Sequence, residues 1–376
     1  MAQSALVPEP FKNFFSEQVI CDMGAEFAQA WPGFARDEFV ATAASNLDQL
    51  ELKARSTQIS DALAIYLPDD FEQAAGIMLA SLAPANADTL TGGGISGWAV
   101  MPMTHYVGLH GLGHFDISMT LFREMTKRFT SEFGIRYFLL EEPARTLKVL
   151  QRWTCDSDHH VRRLVSEGTR PRLPWAMRLP VFIEDPAPIL PLLESLRDDK
   201  EEYVRRSVAN NLNDIAKDHP DLVAQIAGRW LQDADRNRQK LVRHGCRTLI
   251  KQGHRGTLDV LGYSPPSIQV EQLDIRTPQV QFGDALDFEL ALVSTSRRPQ
   301  KLIIDYAIHH RKANGSMTPK VFKWKATTLA PLQTLSARRK HAIRKITTRV
   351  YYPGTHRLEI FVNGESVGSL SFDLLM

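Results

Sequence analysis

The chain has 376 residues, of which 43% are hydrophobic and 23% are charged, so it is globular and long enough for two domains. Its three cysteines, Cys21, Cys155 and Cys246, are far apart and odd in number, which excludes a disulfide framework and a cysteine zinc site and indicates a reducing cytoplasm. The N-terminus has no basic segment followed by an apolar run, and no stretch reaches the ~18 apolar residues of a membrane span. We therefore predict a soluble cytoplasmic protein without a membrane partner.

The net charge of +2 is distributed unevenly along the chain. Residues 1–100 hold 4 Lys/Arg and 13 Asp/Glu, residues 101–264 hold 25 and 21, and residues 265–376 hold 16 and 9. Between Arg297 and Arg349 there are 14 basic residues and a single acid, Asp305. This asymmetry predicts a polyanionic partner for the later part of the chain, whereas the acidic first third is not expected to form a nucleic-acid surface.

Residues 9–82 have apolar residues at helical spacing and predict a series of helices. The three consecutive glycines in the stretch TLTGGGISGW are not followed by GK[ST], so no phosphate-binding Walker loop is predicted. His105, His110 and His114 lie close together, but no partner carboxylate shares their spacing. Helix packing is the favoured interpretation, and we predict no metal site.

From residue 143 the chain becomes repetitive. Three pairs of helical segments follow one another, and the second member of each pair begins with a related triplet, at Val161, Val204 and Val242, so that the intervals are 43 and 38 residues. Two amphipathic helices in about 40 residues are typical of HEAT-like repeats, which stack into a solenoid. Stacking would align the basic stripes of the repeats, such as Arg243, Arg247 and Lys251, along one surface.

The stretch HHVRRLVSEGTRPRLPWAMRL, residues 159–179, combines five arginines with one carboxylate, Glu167, and a tryptophan, Trp175. Arg163, Glu167 and Arg170 have the spacing i, i+4 and i+7, so they are expected on one helix face. A basic face with a single acid suits a polyanion whose chemistry occurs at a carboxylate. An isolated salt-bridged helix is the simpler alternative, but the downstream repetition favours the functional interpretation.

After the double proline Pro265-Pro266 the hydrophobic period changes from 3.6 to 2. Six to eight short β-rich runs separated by turn signals predict an immunoglobulin-like β-sandwich without a disulfide. The predicted fold is therefore mainly α, a HEAT-like helical-repeat solenoid over residues 1–264 followed by an all-β sandwich over residues 267–376. The basic content of the sandwich indicates a surface that contacts phosphates.

The run from Thr126 to Leu179, continuing through DDKEEYVRRSVANNLNDIAKDHPDLV, resembles the AlkC branch of the AlkC/AlkD bacterial DNA alkylation-repair glycosylases. The similarity extends from about Gly108 to Trp230 with long, specific motifs and is more diffuse elsewhere. It implies a monofunctional DNA-3-methyladenine glycosylase of base excision repair that acts in duplex DNA on 3-methyladenine and 3-methylcytosine. It also implies no cofactor, no metal and no flipping of the base into a closed pocket, and we expect a monomer in the bacterial cytoplasm, associated with the nucleoid.

The resemblance implies catalytic roles for Glu132, Glu167, Trp175 and Asp214, of which Glu167 and Trp175 lie in one contiguous motif. Alternative roles for the other two acids are a helix N-terminal charge for Glu132 and an inter-repeat hydrogen bond for Asp214. The residues expected to contact DNA are Arg162, Arg163, Arg170, Arg172, Arg205, Arg206, Asn210, Asn211, Arg243, Arg247, Lys251, Arg311, Lys312, Arg338 and Arg339.

The residue types agree with this chemistry. N3-alkylation makes the base a cationic leaving group, so a carboxylate that opposes charge on the sugar suffices and no general acid is needed. An indole ring attracts the cation, and no lysine is placed to form a Schiff base. Two alternatives stay open at this point: a HEAT-type scaffold that binds an acidic protein, and a DNA-binding protein without catalysis.

Overall fold

The computed structural model of the protein describes residues 10–85 and 93–376. Part of the N-terminal segment lies outside the described residues, and so does part of the glycine-containing stretch. The predictions of no targeting signal and no Walker loop depend on these two segments. Within the described ranges the chain is helical up to residue 260 and β-rich from residue 268 onward. No helix in these ranges has the length and hydropathy needed to cross a membrane.

The helices of the first part follow the predicted segments. They are α1 (Glu17–Ala30), α2 (Arg36–Ala43), α3 (Leu52–Tyr66), α4 (Phe71–Ala80), α5 (Val100–His110), α6 (Phe115–Thr126), α7 (Ile135–Glu141), α8 (Pro143–Trp153), α9 (His159–Gly168), α10 (Pro180–Glu184), α11 (Leu190–Leu196), α12 (Glu202–Ile215), α13 (Pro220–Leu231), α14 (Arg236–Gly245), α15 (Arg247–Lys251) and α16 (Arg255–Val260). The pairs α8/α9, α11/α12 and α13/α14 correspond to the three predicted repeats.

α9 and α12, the second helices of the first two repeats, bury the apolar stripes that their sequences predict. Val161, Leu164 and Val165 of α9 are fully buried, as are Val204 and Val208 of α12. Asp158 caps α9 by accepting hydrogen bonds from the amides of His160 and Val161. Because α9 also packs against α12, the polar residues on its other side are held in a fixed position.

The predicted basic stripe of the third repeat is divided between two helices. α14 ends at Gly245, and α15 begins at Arg247 after Cys246, whose backbone departs from helical angles. Arg243 therefore lies in the last turn of α14, whereas Arg247 and Lys251 lie on α15.

The histidines of the α5–α6 region pack against aromatic rings. His105 Nε2 lies 3.0 Å from the hydroxyl of Tyr137, and the ring of His114 stacks on Phe71 with centroids 5.1 Å apart. Within residues 10–85 and 93–376, no group of three or more His, Cys, Asp or Glu side chains is arranged to hold a metal ion.

The strands are β1 (Ile268–Ile275), β2 (Gln279–Gln281), β3 (Ala285–Ser294), β4 (Gln300–Arg311), β5 (Met317–Leu329), β6 (Thr334–Ala342), β7 (Gly354–Val362) and β8 (Glu365–Leu375). They form one sheet in the order β1-β3-β6 and a second in the order β2-β8-β7-β4-β5. Leu290, Tyr306 and Ile360 belong to the core that these strands enclose. The predicted immunoglobulin-like sandwich is thus confirmed, with one parallel pair, β2 and β8.

Two details of the predicted strands are wrong. One of the β-rich runs counted in the sequence, KHAIRKITTRVYY at residues 340–352, is not a separate strand: β6 begins earlier, at Thr334, and ends at Ala342, and the rest of the run contains the isolated Ile346–Arg349 bridge. The short strand β2 was not predicted, because three residues are too few to show a period of two.

The chain divides into two compact units, residues 1–215 and 216–376, of which the first is described from residue 10. The second unit contains the sandwich and helices α13–α16. Within this unit, Asn363 donates a hydrogen bond to the carbonyl of Ser264 (2.8 Å), and Gly253 approaches Gly364 so closely that a Cβ there would lie 2.9 Å from its backbone. The predicted domain boundary at residues 264–267 stays a prediction.

Candidate active site

Two of the predicted catalytic acids are joined by one arginine of α9. Arg163 Nη1 donates to Glu132 Oε2 at 2.5 Å, and Arg163 Nη2 lies 3.4 Å from Glu167 Oε1. Thr130 also donates its hydroxyl to Glu132 Oε2, at 2.8 Å. Only 9% of Glu132 and 5% of Glu167 are exposed, so this ion-pair group is largely shielded from water. In such surroundings charge-assisted hydrogen bonds are strong and fix the carboxylates in position.

Glu167 is held by two further donors, from two different segments. Its Oε1 accepts a hydrogen bond from Arg170 Nη1 at 2.6 Å, and its Oε2 accepts one from the hydroxyl of Ser207 on α12, also at 2.6 Å. Arg170 also donates from Nε to Asp214 Oδ2 at 2.8 Å. Three carboxylates and two arginines therefore form one continuous network, in which Arg170 links Asp214 to Glu167.

The electrostatics of the network favour full ionisation of both arginines. Burial opposes the charge of Arg163, but the carboxylates of Glu132 and Glu167 outweigh it and raise the pKa of its guanidinium. For Arg170, burial again acts to lower the pKa, and Glu167 and Asp214 raise it above its usual value. The two guanidiniums thus stay charged within the network.

A third arginine fixes the segment that leads from α9 to Trp175. Arg136 is fully buried and donates to the backbone carbonyls of Gly168 (2.8 Å), Arg170 (2.9 Å) and Met177 (2.8 Å). Burial lowers its pKa to about 10, which still leaves it protonated at neutral pH. The turn that carries Trp175 is therefore attached to α7 at both of its ends.

Glu132, Glu167 and Trp175 line the same cleft, of about 280 Å³, which we call the acidic cleft. Its other lining residues are mainly apolar and aromatic: Trp98, Met101, Phe129, Thr130, Phe133, Arg170, Leu173 and Pro174. Trp175 itself is 59% exposed. Aromatic walls above paired carboxylates suit a flat cation, because both the π-faces and the carboxylates attract positive charge.

Trp175 has a backbone conformation that is unusual for a large side chain. Its φ is +66°, in the left-handed region that glycine favours. Its carbonyl accepts a hydrogen bond from Lys53 Nζ of α3 at 2.8 Å, and the edge of its ring meets Phe11 with centroids 6.4 Å apart. Strained residues of this kind persist where surrounding contacts fix them, which is typical of functional sites.

The structure brings together Glu132, Glu167 and Trp175, whereas Asp214 lies behind Arg170 and does not line the acidic cleft. Two sequence expectations need correction. Glu167 is not a lone acid, since Glu132 shares Arg163 with it. Arg170 does not lie on the helix face, because α9 ends at Gly168 and Arg170 meets Glu167 from the following turn.

The predicted DNA-binding residues differ widely in exposure. Arg162, Arg170 and Asn211 are buried; Arg163, Arg172, Arg205, Asn210 and Arg247 are half-buried; Arg206, Arg243, Lys251, Arg311, Lys312, Arg338 and Arg339 are exposed. Arg162 forms an ion pair with Asp199 at 2.6 Å, and Arg170 is fully engaged in the acidic network. In this conformation the buried guanidiniums hold the protein together, and only the exposed set can reach a phosphate without rearrangement.

Several residues of the site were not anticipated from the sequence. Ser207 and Thr130 bond directly to the two acids, and Trp98 and Phe129 form walls of the acidic cleft. Ser207 immediately follows the repeated Val-Arg-Arg triplet, but nothing in the triplet shows that its hydroxyl meets the preceding repeat. Trp98 is the last residue of the glycine-containing stretch TLTGGGISGW, far in sequence from the motif at Glu167.

The comparisons with known proteins agree with this geometry. Residues 129–247 match the family described as DNA alkylation repair enzyme, and residues 269–376 match the family described as uncharacterised protein YhaZ, C-terminal Ig-like domain. The uncharacterized protein YhaZ of Bacillus subtilis (strain 168) is 35% identical over 365 residues, covering 96% of this chain and 99% of that protein.

A solved structure of the alkylpurine DNA glycosylase AlkC of Pseudomonas fluorescens, bound to DNA containing an abasic site analog, is also similar. The sequence identity is 35%, the TM-score is 0.88, and the similarity covers 98% of this chain and 100% of that one. The matched ranges include the acidic network and the sandwich alike. The chain therefore belongs to the AlkC-type family of DNA alkylation-repair proteins.

Proposed function

We propose that this protein is an alkylpurine DNA glycosylase that hydrolyses the N-glycosidic bond of cationic N3-alkylated bases, 3-methyladenine and 3-methylcytosine, in duplex DNA. The observation that carries the proposal is the Glu132–Arg163–Glu167 group in a cleft walled by Trp175 and other aromatic rings. Family membership and the activity of the Pseudomonas fluorescens relative support it. No cofactor enters the proposed reaction.

In the proposed mechanism the alkylated base leaves as a neutral molecule, and positive charge develops on the deoxyribose. Glu132 is the better placed of the two acids to oppose that charge. Oε2 of Glu132 accepts the hydrogen bonds from Arg163 and Thr130, whereas Oε1 accepts none from any residue in the described ranges. Oε1 can therefore receive the attacking water or face the sugar.

Glu167 acts differently in this proposal, because both of its oxygens already accept strong hydrogen bonds. Its charge lies next to Arg163 and adds to the negative potential of the acidic cleft. Asp214 contributes through Arg170, which it keeps aligned with Glu167. Asp214 is thus a positioning residue, and Glu132 and Glu167 are the catalytic carboxylates.

Trp175 provides the wall against which the cationic base lies. Its ring is largely exposed, so a lesion can reach it at the protein surface without entering a closed pocket. This exposure supports cleavage without base flipping, because a flipped base would need an enclosed pocket to receive it. A cation–π contact of about 0.5–2 kcal/mol favours the alkylated base over its neutral parent.

The test is the single-turnover release of 3-methyladenine from methylated duplex DNA at saturating protein. We expect Glu132→Gln and Glu167→Gln each to lower the rate by roughly 10²–10³-fold, because each removes one negative charge from the reacting centre. Affinity for an abasic duplex should stay close to that of the wild type. Glu142→Gln is the matched control, since Glu142 is solvent-accessible and its one ion pair with a described residue is with Arg145.

Wild-type rates in both variants would refute the carboxylate mechanism. Binding of the abasic duplex without release of any alkylated base by the wild-type chain would instead identify a non-catalytic DNA-binding protein. Failure to bind DNA at all would favour the scaffold alternative.

A further inference from the structure

A second cleft, of about 400 Å³, lies directly beside the acidic cleft and shares Met101, Phe133 and Trp175 with it. We call it the lysine cleft. It is larger than the acidic cleft, and its volume is in the range of sites that hold small ligands. Trp175 borders both clefts, so a group in one cleft and a group in the other share this side chain as a wall.

The two clefts have opposite electrostatic character. The acidic cleft is lined by two carboxylates, Glu132 and Glu167, and one cation, Arg170. Among the described residues no carboxylate lines the lysine cleft, and its one charged side chain is Lys53. Burial lowers the pKa of His105, which therefore adds no positive charge at neutral pH. The carboxylates of the acidic cleft thus attract positive charge, and Lys53 of the lysine cleft attracts negative charge.

The lysine cleft also has the groups that a nucleotide uses. Tyr137 and Trp175 present aromatic rings, and His105 Nε2, paired with the Tyr137 hydroxyl at 3.0 Å, presents a polar edge. The ammonium of Lys53 is exposed, and its one hydrogen bond to a described residue goes to the Trp175 carbonyl. Two of its three donors stay available to an anion.

We infer that the lysine cleft binds one nucleotide that flanks the damaged base in the bound DNA strand, with Lys53 contacting its phosphate and Trp175 and Tyr137 contacting its base. This inference rests on the proposed DNA-glycosylase function. It gives the acidic first third of the chain a direct part in DNA binding through one of its four basic residues. Because Lys53 also holds the carbonyl of Trp175, phosphate binding and the position of the catalytic wall are coupled.

The first experiment measures how affinity for a duplex with an abasic site analog depends on salt. Lys53→Met should lower the slope of log Kd against log salt by about one unit, since it removes one phosphate contact. Lys53→Arg keeps the charge and should retain the wild-type slope. Lys12→Met is the matched control, because Lys12 pairs with Glu51 and lines neither cleft.

The second experiment places 2-aminopurine immediately 5′ or 3′ of the abasic site. We expect binding to change its fluorescence at one of these two positions, through stacking on an aromatic ring, and Lys53→Met to reduce that change. Equal salt slopes for Lys53→Met and Lys12→Met would overturn the inference and leave Lys53 with a structural role at Trp175. A reduced slope with no response at either flank would also overturn it, by placing the phosphate contact outside the cleft.

Both experiments use DNA that has already lost its base, so they do not depend on catalysis. A chain that binds as predicted but releases no alkylated base would refute the proposed function and leave the subsite intact. If the wild-type chain releases the alkylated base but Lys53→Met binds the abasic duplex as the wild type does, the proposed function stands and the subsite is refuted.

Discussion

Arg163 and Arg206 close the same Val-Arg-Arg triplet in successive repeats, yet their environments differ. Arg163 is half-buried and bridges Glu132 and Glu167, whereas the side chain of Arg206 is 66% exposed and pairs with Glu202 at 3.3 Å. Removing one partner of a buried ion pair leaves charges uncompensated, while a surface pair contributes little. The two arginines therefore form a matched pair for separating stability from DNA binding.

Arg163→Met should lower the free energy of unfolding by about 3–5 kcal/mol, because two shielded carboxylates lose their shared cation. Arg206→Met should change it by less than about 1 kcal/mol but should weaken DNA binding and reduce its salt slope by about one unit. Urea unfolding and fluorescence anisotropy with an abasic duplex measure the two effects. A stable Arg163→Met protein with a reduced salt slope would show that Arg163 contacts phosphate instead of the acids.

For the residues of the site, the sequence predicted the residue types better than their partners. The motif at Glu167 and Trp175 is contiguous, so its two members could be assigned together to one site. Glu132 was connected to them only by the family resemblance, because the link through Arg163 is a tertiary contact across 31 positions. The bond from Ser207 to Glu167 arises when α12 packs on α9, and no local pattern encodes it.

Among the elements, the helical repeats were predictable because each has a strong 3.6-residue period and a recurring triplet. The break between α14 and α15 was missed, since the apolar period continues through Gly245 and Cys246. In the sandwich the long strands β3 and β4 were anticipated. β4 is buried continuously from Leu302 to His310, so it lacks the alternation that marks a half-exposed strand.

The buried strand β4 makes the stability of the sandwich dependent on pH. His310 of β4 has no hydrogen-bond partner on either ring nitrogen among the described residues, and burial lowers its pKa to about 3. Burial likewise lowers the pKa of His341 on β6 to about 4. Between these values and about 6.5 the unfolded chain binds more protons than the folded one, so stability decreases as pH falls.

Asp305 of β4 has the opposite effect on the stability of the sandwich over part of this pH range. Burial raises its pKa to about 6, so between about 3.8 and 6 the folded state binds the extra proton. Burial also lowers the pKa of His356 on β7, so three histidines oppose one aspartate, and we expect the urea midpoint of the sandwich to decrease from pH 7 to pH 4.5. His310→Phe should flatten this dependence, because it removes one of the three histidine protons. Circular dichroism of the β-structure would follow the transition, and an unchanged pH profile in the variant would contradict the prediction.

For the whole molecule, the charge distribution and the change of hydrophobic period predicted a helical part followed by a basic sandwich. What they did not predict is that α13–α16 form a compact unit with the sandwich. That association depends on contacts between segments distant in sequence, such as Gly253 against Gly364 and Arg243 to the hydroxyl of Tyr263 at 2.9 Å. Repeat periodicity describes neighbours along the chain and contains no information on such contacts.

Deleting the residues after Ser264 therefore has two consequences. Helices α15 and α16 lose packing against the sandwich, and the protein loses the exposed basic residues Arg311, Lys312 and Arg339. We expect the truncated chain to keep residues 10–215 folded, to bind DNA more weakly and to release 3-methyladenine at a much lower rate. Circular dichroism and single-turnover assays at saturating protein measure the outcome, and a well-folded truncated chain with the full-length rate would refute a catalytic contribution of the sandwich.

The full-length triple variant Arg311→Gln, Lys312→Gln and Arg339→Gln separates the loss of charge from the loss of packing. Arg338 is left unchanged, because it pairs with the buried Asp287 and its removal would disturb the sheet. If the sandwich holds the DNA backbone, the triple variant should unfold at the wild-type urea midpoint and show a salt slope lower by up to about three units. If it binds DNA like the wild type, the effect of the deletion arises from the helices α13–α16 that the sandwich supports, and the basic strands have no part in gripping the duplex.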